Sequence, residues 1–383
     1  QSGGGIAGAG GEAVTLTNST VSGNTANDSG GGIHNNGAVT LTNSTVSGNT
    51  ARGDGGGIFS GGGTIRNSTI TNNTADSSNS SLRNGGGIFN SGGSVTIQNS
   101  IIAGNFDTPN NAGGGSINPD VSGVFVDSGS NLIGDSTGSS NFTVSTLVGT
   151  AASRLNPQLA PLGNYGGTTQ THALLPNSPA LDAGNNAGVA ATDQRGAPRI
   201  FGGVVDIGAF ESQGFSLTPL ANTTPQSTNI NTSFTQPLGV QVTENFVNSP
   251  IPNILVTFAP PSSNANGAFA GNASVLTNNL GIAVAPAFTA NGVSGSYTVS
   301  AIATGLTPAS FSLTNAALPA TNPPVTNKVV NGFGGVFPSR EDLEGRSARL
   351  DEQDLDISFT QVLCLDASLA ITQTTSIPTC KKP

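Results

Sequence analysis

The sequence predicts an all-β chain: a parallel β-helix, then a β-sandwich, then a short C-terminal module. Three observations predict it. The first is repetition. AVTLTNSTVSGNTA stands at 13–26 and again at 38–51, followed by the related GTIRNSTITNNTA (63–75) and SVTIQNSIIAGNF (94–106). The second is a pair of apolar columns that keep step with the repeat, Leu16, Leu41, Ile65 and Ile97, and Val21, Val46, Ile70 and Ile102. The third is a series of alternating runs beyond residue 214, separated by turn residues at the spacing of a β-sandwich.

Within the repeats, Val14 and Leu16 share one face of an alternating run, and Asn18 keeps that parity. Val21 breaks it, so the chain must bend between Asn18 and Val21. Each repeat is then a coil of two or three very short strands with sharp corners, where glycine and asparagine tolerate positive φ. Coils of this length stack so that each strand pairs with its equivalent one coil away, about 4.8 Å distant. A tripled glycine leads into Ile6, Ile33, Ile58 and Ile88. Asn18, Asn43, Asn67 and Asn99 recur at one place in the repeat, and Asn24, Asn49, Asn73 and Asn105 follow each of them by six positions. Both columns are expected to form amide ladders. The alternative for the Asn-Ser-Thr units at 18–20, 43–45 and 67–69 is N-glycosylation.

One corner carries Asp28, Asp54, Asp76 and Asp107. Paired carboxylates serve glycoside hydrolysis, and clustered ones hold calcium. Their drifting positions favour turn-forming, solubilising loop residues. The polar stretch ADSSNSSLRN (75–84) lengthens one coil and is expected to project from it.

Composition bounds the rest. In 383 residues glycine is abundant (54), charge sparse (9 %) and aromatics few (5 %), yet the strict apolar register argues against disorder. A net charge of −9 makes nucleic acid an unsuitable partner. No apolar run reaches the roughly 20 residues of a membrane-spanning helix, and no signal peptide is apparent. Methionine is absent, so the chain is expected to be a processed or excised piece. Cys364 and Cys380 form one disulfide if the protein is secreted; two free thiols is the alternative.

From 156 the sequence changes to NPQLAPLGNYGGTTQTHALLPNSPALDAGN, then DQRGAPRIFGGVVDIGAFE (193–211). This segment is expected to cover the last coil, with VVDIGAF (204–210) as a final strand and local salt bridges among Asp193, Arg195, Arg199, Asp206 and Glu211. His172 stands near them in sequence, but no serine sits in a nucleophile elbow. His34 takes the slot of Phe59 and Phe89 and reads as a surface residue. After 315 comes a Pro-rich linker, AALPATNPPVTN, then the charged REDLEGRSARLDEQDLD (340–356), a solvated hairpin or an element that adds a strand to a neighbour.

The GGGI units (30–33, 55–58, 85–88) and the TNST…GNTA runs resemble the polymorphic outer-membrane protein repeat of bacterial right-handed β-helix surface proteins. The 156–211 segment resembles the choice-of-anchor Q domain, which implies a secreted or surface protein and no catalytic residues. VTFAPP, TNNLGIAVAPAFTANGVSGSYTVSAIATG and ASFSLTN resemble an invasin-type bacterial immunoglobulin-like domain, usually a spacer. The expected fold is therefore a right-handed parallel β-helix over 1–213 (repeats 1–150, closing segment 150–213), an immunoglobulin-like β-sandwich over 214–315, and a C-terminal module over 316–383.

The expected function is that of a non-enzymatic surface protein, a stalk or filament subunit with an adhesive role and no cofactor. Its partners would be further copies or another surface protein, with a glycan or a cell surface as target. Assembly is expected through an uncovered β-helix end, the tail, or both. The alternatives are a polysaccharide lyase or hydrolase and a non-catalytic glycan-binding module. Against the enzymes, residues 1–213 contain no lysine, and an acidic glycan needs cationic groups.

Overall fold

The computed structural model describes residues 2–9, 11–78, 83–108, 117–139, 141–142, 146–262 and 264–319. Cys364, Cys380, the charged 340–356 stretch and most of the 75–84 insertion's tip lie outside the described residues. Residues 1–319 pack as one unit. Every regular element described is a strand.

Three long parallel sheets carry the repeats, beside a short parallel pair of Thr25–Ala26 with Thr50–Ala51. The first runs through Ile6–Ala7, Ile33–Asn35, Ile58–Ser60, Ile88–Asn90 and Val121–Ser122. The second runs through Val14–Thr17, Val39–Thr42, Gly63–Arg66, Val95–Gln98 and Phe125–Asp127. The third runs through Thr20–Ser22, Thr45–Ser47, Thr69–Thr71, Ile101–Ile102, Leu132–Ile133 and Leu147–Val148. The chain visits the sheets in turn, and each strand pairs in register with its equivalent in the next repeat, as Leu16 with Leu41 and Ile65 with Ile97. The apolar columns therefore meet inside: Ile33, Leu41, Val46, Ile58, Ile70 and Ile88 are wholly inaccessible.

The corners explain the asparagines and glycines. Asn18, Asn43, Asn67 and Asn99 sit at φ of 46–49°, the left-handed region that asparagine tolerates best after glycine. Gly31 and its equivalents stack backbone on backbone: a Cβ on Gly31 would lie 2.3 Å from the Gly56 carbonyl oxygen. No other residue permits that approach.

At Phe215 the pairing becomes mainly antiparallel. One sheet joins Phe215–Pro219, Gly239–Glu244 and Ser249–Pro250, with Ile282–Val284 on the second of these. The other orders Gln226–Asn229, Ala309–Ala316, Gly295–Ile302, Leu255–Ala259 and Ser274–Leu276. The alternating runs at 238–244, 254–261, 273–279, 281–290, 295–304 and 309–315 each contain a strand. Their inward residues, among them Val240, Val242, Phe258, Val299 and Phe311, share one apolar core with Ile101, Leu132, Ile207 and Phe210 of the preceding region.

Residues 156–211 lie against the outer face of the third sheet, where Gln170 meets Thr20, Thr171 and Gln194 meet Thr45, His172 meets Ser47 and Ala209 meets Thr69. VVDIGAF forms no strand. Its backbone bonds are scattered among Ala180, Gly184 and Gln194 of the same segment, the Asn99 corner and the Thr69 hydroxyl, and make no ladder.

Candidate functional site

The strap formed by residues 156–211 is where ionisable and polar side chains converge, and each is placed by the coil beneath it. Over the first three coils the third sheet's outward residues are hydroxylic. Thr45 Oγ1 donates to Gln194 Oε1 at 2.6 Å and lies 3.0 Å from Thr171 Oγ1. Gln194 Nε2 donates to Thr20 Oγ1, Thr169 Oγ1 and Gln170 O at 2.9–3.0 Å, and Thr20 Oγ1 also meets Gln170 O. Ala209 N donates to Thr69 Oγ1 at 3.0 Å.

His172 finds Ser47 here, away from the charges that neighbour it in sequence. Its Nδ1 lies 2.8 Å from Ala160 O, so Nδ1 carries the proton, and Nε2 at 2.8 Å accepts from Ser47 Oγ. Burial holds its pKa below the ordinary histidine value. A serine beside a histidine suggests a nucleophile, but the third partner is a carbonyl and both side chains are buried (3 % and 2 % exposed). The pair is a structural tie between strap and sheet.

The charged cluster lies where the strap meets the antiparallel region. Arg195 donates from Nε to Asp193 Oδ2 (2.9 Å), and from Nη1 to Tyr165 O and Glu244 Oε2 (both 3.1 Å). Its guanidinium lies 3.6 Å above the Phe210 ring and 5.3 Å from that of Phe246. Both ion pairs are fully buried. Of the salt bridges expected among Asp193, Arg195, Arg199, Asp206 and Glu211, that of Asp193 with Arg195 is the one formed among the described residues, and Glu244, from a different region, was not legible as its second partner.

The two asparagine columns have separate roles. Asn24 Nδ2 donates to Asn49 Oδ1, Asn49 to Asn73 and Asn73 to Asn105, each at 2.9 Å. The same oxygens accept the backbone N–H of the preceding asparagine. Asp120 ends the series: its Oδ1 accepts both Asn105 Nδ2 and Asn105 N, and its Oδ2 accepts Asp135 N. A column of amides donating one way requires an acceptor without donors at its end, and a carboxylate is one. Burial pushes Asp120 up to about 7 against these bonds.

The column of Asn18, Asn43, Asn67 and Asn99 forms no such ladder, a correction to the expectation. Its members occupy the left-handed corners, and the side chains of Asn43 and Asn99 turn to the strap at Thr192 O and Asn185 O. The column that does link the coils at this corner is the next residue. Ser44, Ser68 and their equivalent Ser100 accept through Oγ the backbone N–H of Ser19, Ser44 and Ser68. The recurrence of serine after each of these asparagines was the available signal. Asn43 and Asn67 are buried, so the glycosylation alternative does not apply to them, whereas Asn18 is exposed.

The corner carboxylates come near one another without forming a metal site: among the described residues no group of three His, Cys, Asp or Glu can hold an ion. Asp54 accepts Asn84 N at 2.8 Å and lies 3.5 Å from Arg83 Nη1. Asp28 accepts Ser2 Oγ at 2.8 Å, which lowers its pKa. Asp76 and Asp107 are buried, contrary to the loop reading. Burial, with the charges of Asp76 and Asp54, pushes Asp107 up to about 6. His34 stacks on Phe59 at 4.6 Å, and Phe59 on Phe89 at 5.4 Å, a half-exposed aromatic column on the first sheet.

A cavity of about 290 Å³ beside the last coils is lined by Asn105, Asp120, Arg154, Leu155 and Asn156 among others. Arg154 is committed there to Asp135 at 3.0 Å. Compared with family models, with curated proteins and with solved structures, the chain matches none.

Proposed function

We propose that this chain is a non-enzymatic extracellular surface protein, a stiff stalk or filament subunit with an adhesive role. In this reading the stacked coils are a right-handed parallel β-helix, residues 214–315 are an immunoglobulin-like spacer, and the partners are further copies or another surface protein. One observation carries it. Arg195, itself buried, joins Asp193 of the strap to Glu244 of the antiparallel region, and one apolar core continues beneath that joint. A stalk holds its tip away from a surface only if successive modules resist bending, and a desolvated ion pair over a shared core supplies that resistance.

The second reading is a glycan-binding module, favoured by the half-exposed column of His34, Phe59 and Phe89. Self-stacking consumes most ring faces in that column, which leaves edges rather than platforms for a sugar. A lyase or hydrolase is the third. Its cationic needs are thinly served: Arg195 and Arg199 are buried and Arg154 and Arg83 face carboxylates, which leaves Arg52 and Arg66 exposed on the repeats.

Small-angle scattering of the intact chain tests the leading reading. Residues 1–319 should scatter as one unbending particle, and Glu244→Ala should introduce a bend. Cleavage of pectin-like or other glycans by the purified chain would overturn the structural assignment. Saturable glycan binding lost on Phe59→Ala would favour the second reading.

A further inference from the structure

The outer face of the second sheet is exposed where that of the third is covered, and its side chains form a lattice. Thr15, Thr40, Thr64 and Thr96 pair in register through successive strands. Thr17 and Thr42 begin a second column two residues on, which Arg66 and Gln98 continue. Val126 ends the first column. All of these side chains are exposed or half-exposed. Strand spacing sets one edge of the lattice at about 4.8 Å, and the rise of two residues sets the other at about 6.6 Å.

Three properties decide what such a face can take. It is stiff: threonine is restricted at χ1, and the amide ladder from Asn24 to Asn105 ties the same coils against the usual sheet twist. Its hydroxyls are open. Those of Thr20 and Thr45 on the third sheet are bonded to the strap, whereas among the described residues no protein group bonds the hydroxyls of Thr15, Thr17, Thr40, Thr42, Thr64 or Thr96. It is almost uncharged, in a chain of net charge −9. Arg66 is the one charged side chain in the lattice, and it leans sideways: a Cβ on Gly188 of the strap would lie 4.0 Å from its Nη1. A neutral face is complementary to a neutral partner, since neither has to strip water from a charge. The lattice carries no aromatic ring on which a sugar could stack; the rings of His34, Phe59 and Phe89 lie on the first sheet.

We infer that this face binds the surface of an ice crystal. Ice is rigid, uncharged and periodic in two dimensions, with repeat distances close to those of the lattice, and every water in it both donates and accepts hydrogen bonds. A threonine hydroxyl does the same and can stand where a water of the crystal would, while its methyl group makes no competing bond. Each contact is weak. The face makes many at once and, being ordered beforehand, loses little entropy in doing so. Val126 supplies methyl groups without the hydroxyl, and Arg66 and Gln98 interrupt the second column. The inference goes beyond the stalk reading and does not rest on it, because it needs only the stacked coils.

Ice grown slowly from a solution of the full chain tests the face. The chain should be taken up into the ice several-fold over an unrelated protein of similar size, and it should turn round ice discs into faceted crystals. Thr40→Tyr sets a bulky ring in the middle of the lattice and should abolish uptake and faceting while the circular dichroism spectrum stays native. Arg66→Thr restores the second column and should raise both. Thr298→Tyr, at an exposed threonine of the antiparallel region, should leave both unchanged. Exclusion of the parent chain from ice, with discs that stay round, overturns the inference, as does a folded Thr40→Tyr chain that is taken up as well as the parent. Retention on crystalline chitin or cellulose together with exclusion from ice overturns it in favour of a glycan. Should Thr40→Tyr fail to fold, Arg66→Thr decides: greater uptake supports the lattice, and equal or lower uptake overturns it.

Discussion

The outer faces of the second and third sheets begin with the same chemistry and end in different environments. Thr15, Thr40, Thr64 and Thr96 form a registered column on the second sheet, and all are partly or fully exposed. Thr20, Thr45 and Thr69 form the corresponding column on the third, where Thr45 and Thr69 are buried beneath the strap. The hydroxyls of the covered column are bonded to Gln194, Thr171, Gln170 and Ala209. Periodicity decides which residues point outward. It does not decide whether outward means water.

The covered face has its own gradient. After Thr69 its outward residues become Ile101, Leu132 and the partly buried Leu147, which join the core shared with the antiparallel region. The strap changes in parallel, offering Gln194, Thr171 and His172 to the hydroxylic coils and Ile207 and Phe210 to the apolar ones. Complementarity of this kind fixes the strap's register. A slip by one coil would set hydroxyls against aliphatic side chains and leave both unsatisfied.

The largest expected effect is at the anchor. Arg195→Ala leaves Asp193 and Glu244 buried without a counter-charge, a loss of about 3–5 kcal/mol. Urea unfolding should show it, and the threonines of the third sheet should then exchange as readily as those of the second. If they stay protected, the strap is held by its hydroxyl contacts alone. Asn73→Ala is expected to cost on the order of 3 kcal/mol, since it strands the amide of Asn49 and empties the acceptors Val46 O and Thr71 O. It lies inside both faces and should weaken them together.

The direct test pairs two identical substitutions. Thr45→Val leaves Gln194 Oε1 buried without its donor and should cost about 1–3 kcal/mol, whereas Thr40→Val should fall within about 0.5 kcal/mol of the parent. Equal costs would show that the strap does not read the hydroxyls.

The smallest effect is a pH dependence at His172. Its pKa is lowered, so the unfolded chain takes the proton first, and stability should decline as pH falls below the ordinary histidine value of about 6.5. His172→Gln should flatten that decline in thermal melts.

Much of the coil architecture was legible. Columns such as Leu16, Leu41, Ile65 and Ile97 recur in register, and register is what parallel stacking requires. The amide column at Asn24 was legible for the same reason. The column at Asn18 looked identical as a pattern, yet its residues are corners: the same recurrence serves a ladder or a left-handed turn, and backbone conformation separates them. Ser44 and its equivalents were overlooked because serine in such a composition carries little signal. Asp120 and Glu244 were hidden because their partners come from other coils or another region.

By itself the sequence determined the strand lengths, the inward apolar columns, the corners and the change of character near residue 214, because these depend on neighbours a few residues or one repeat away. Only the tertiary structure decided where residues 156–211 lie, which threonines are wet, and that Arg195 joins two regions. Those outcomes depend on surfaces that exist only after the coils have stacked, and on burial, which turns ordinary charges and hydroxyls into obligations to find a partner.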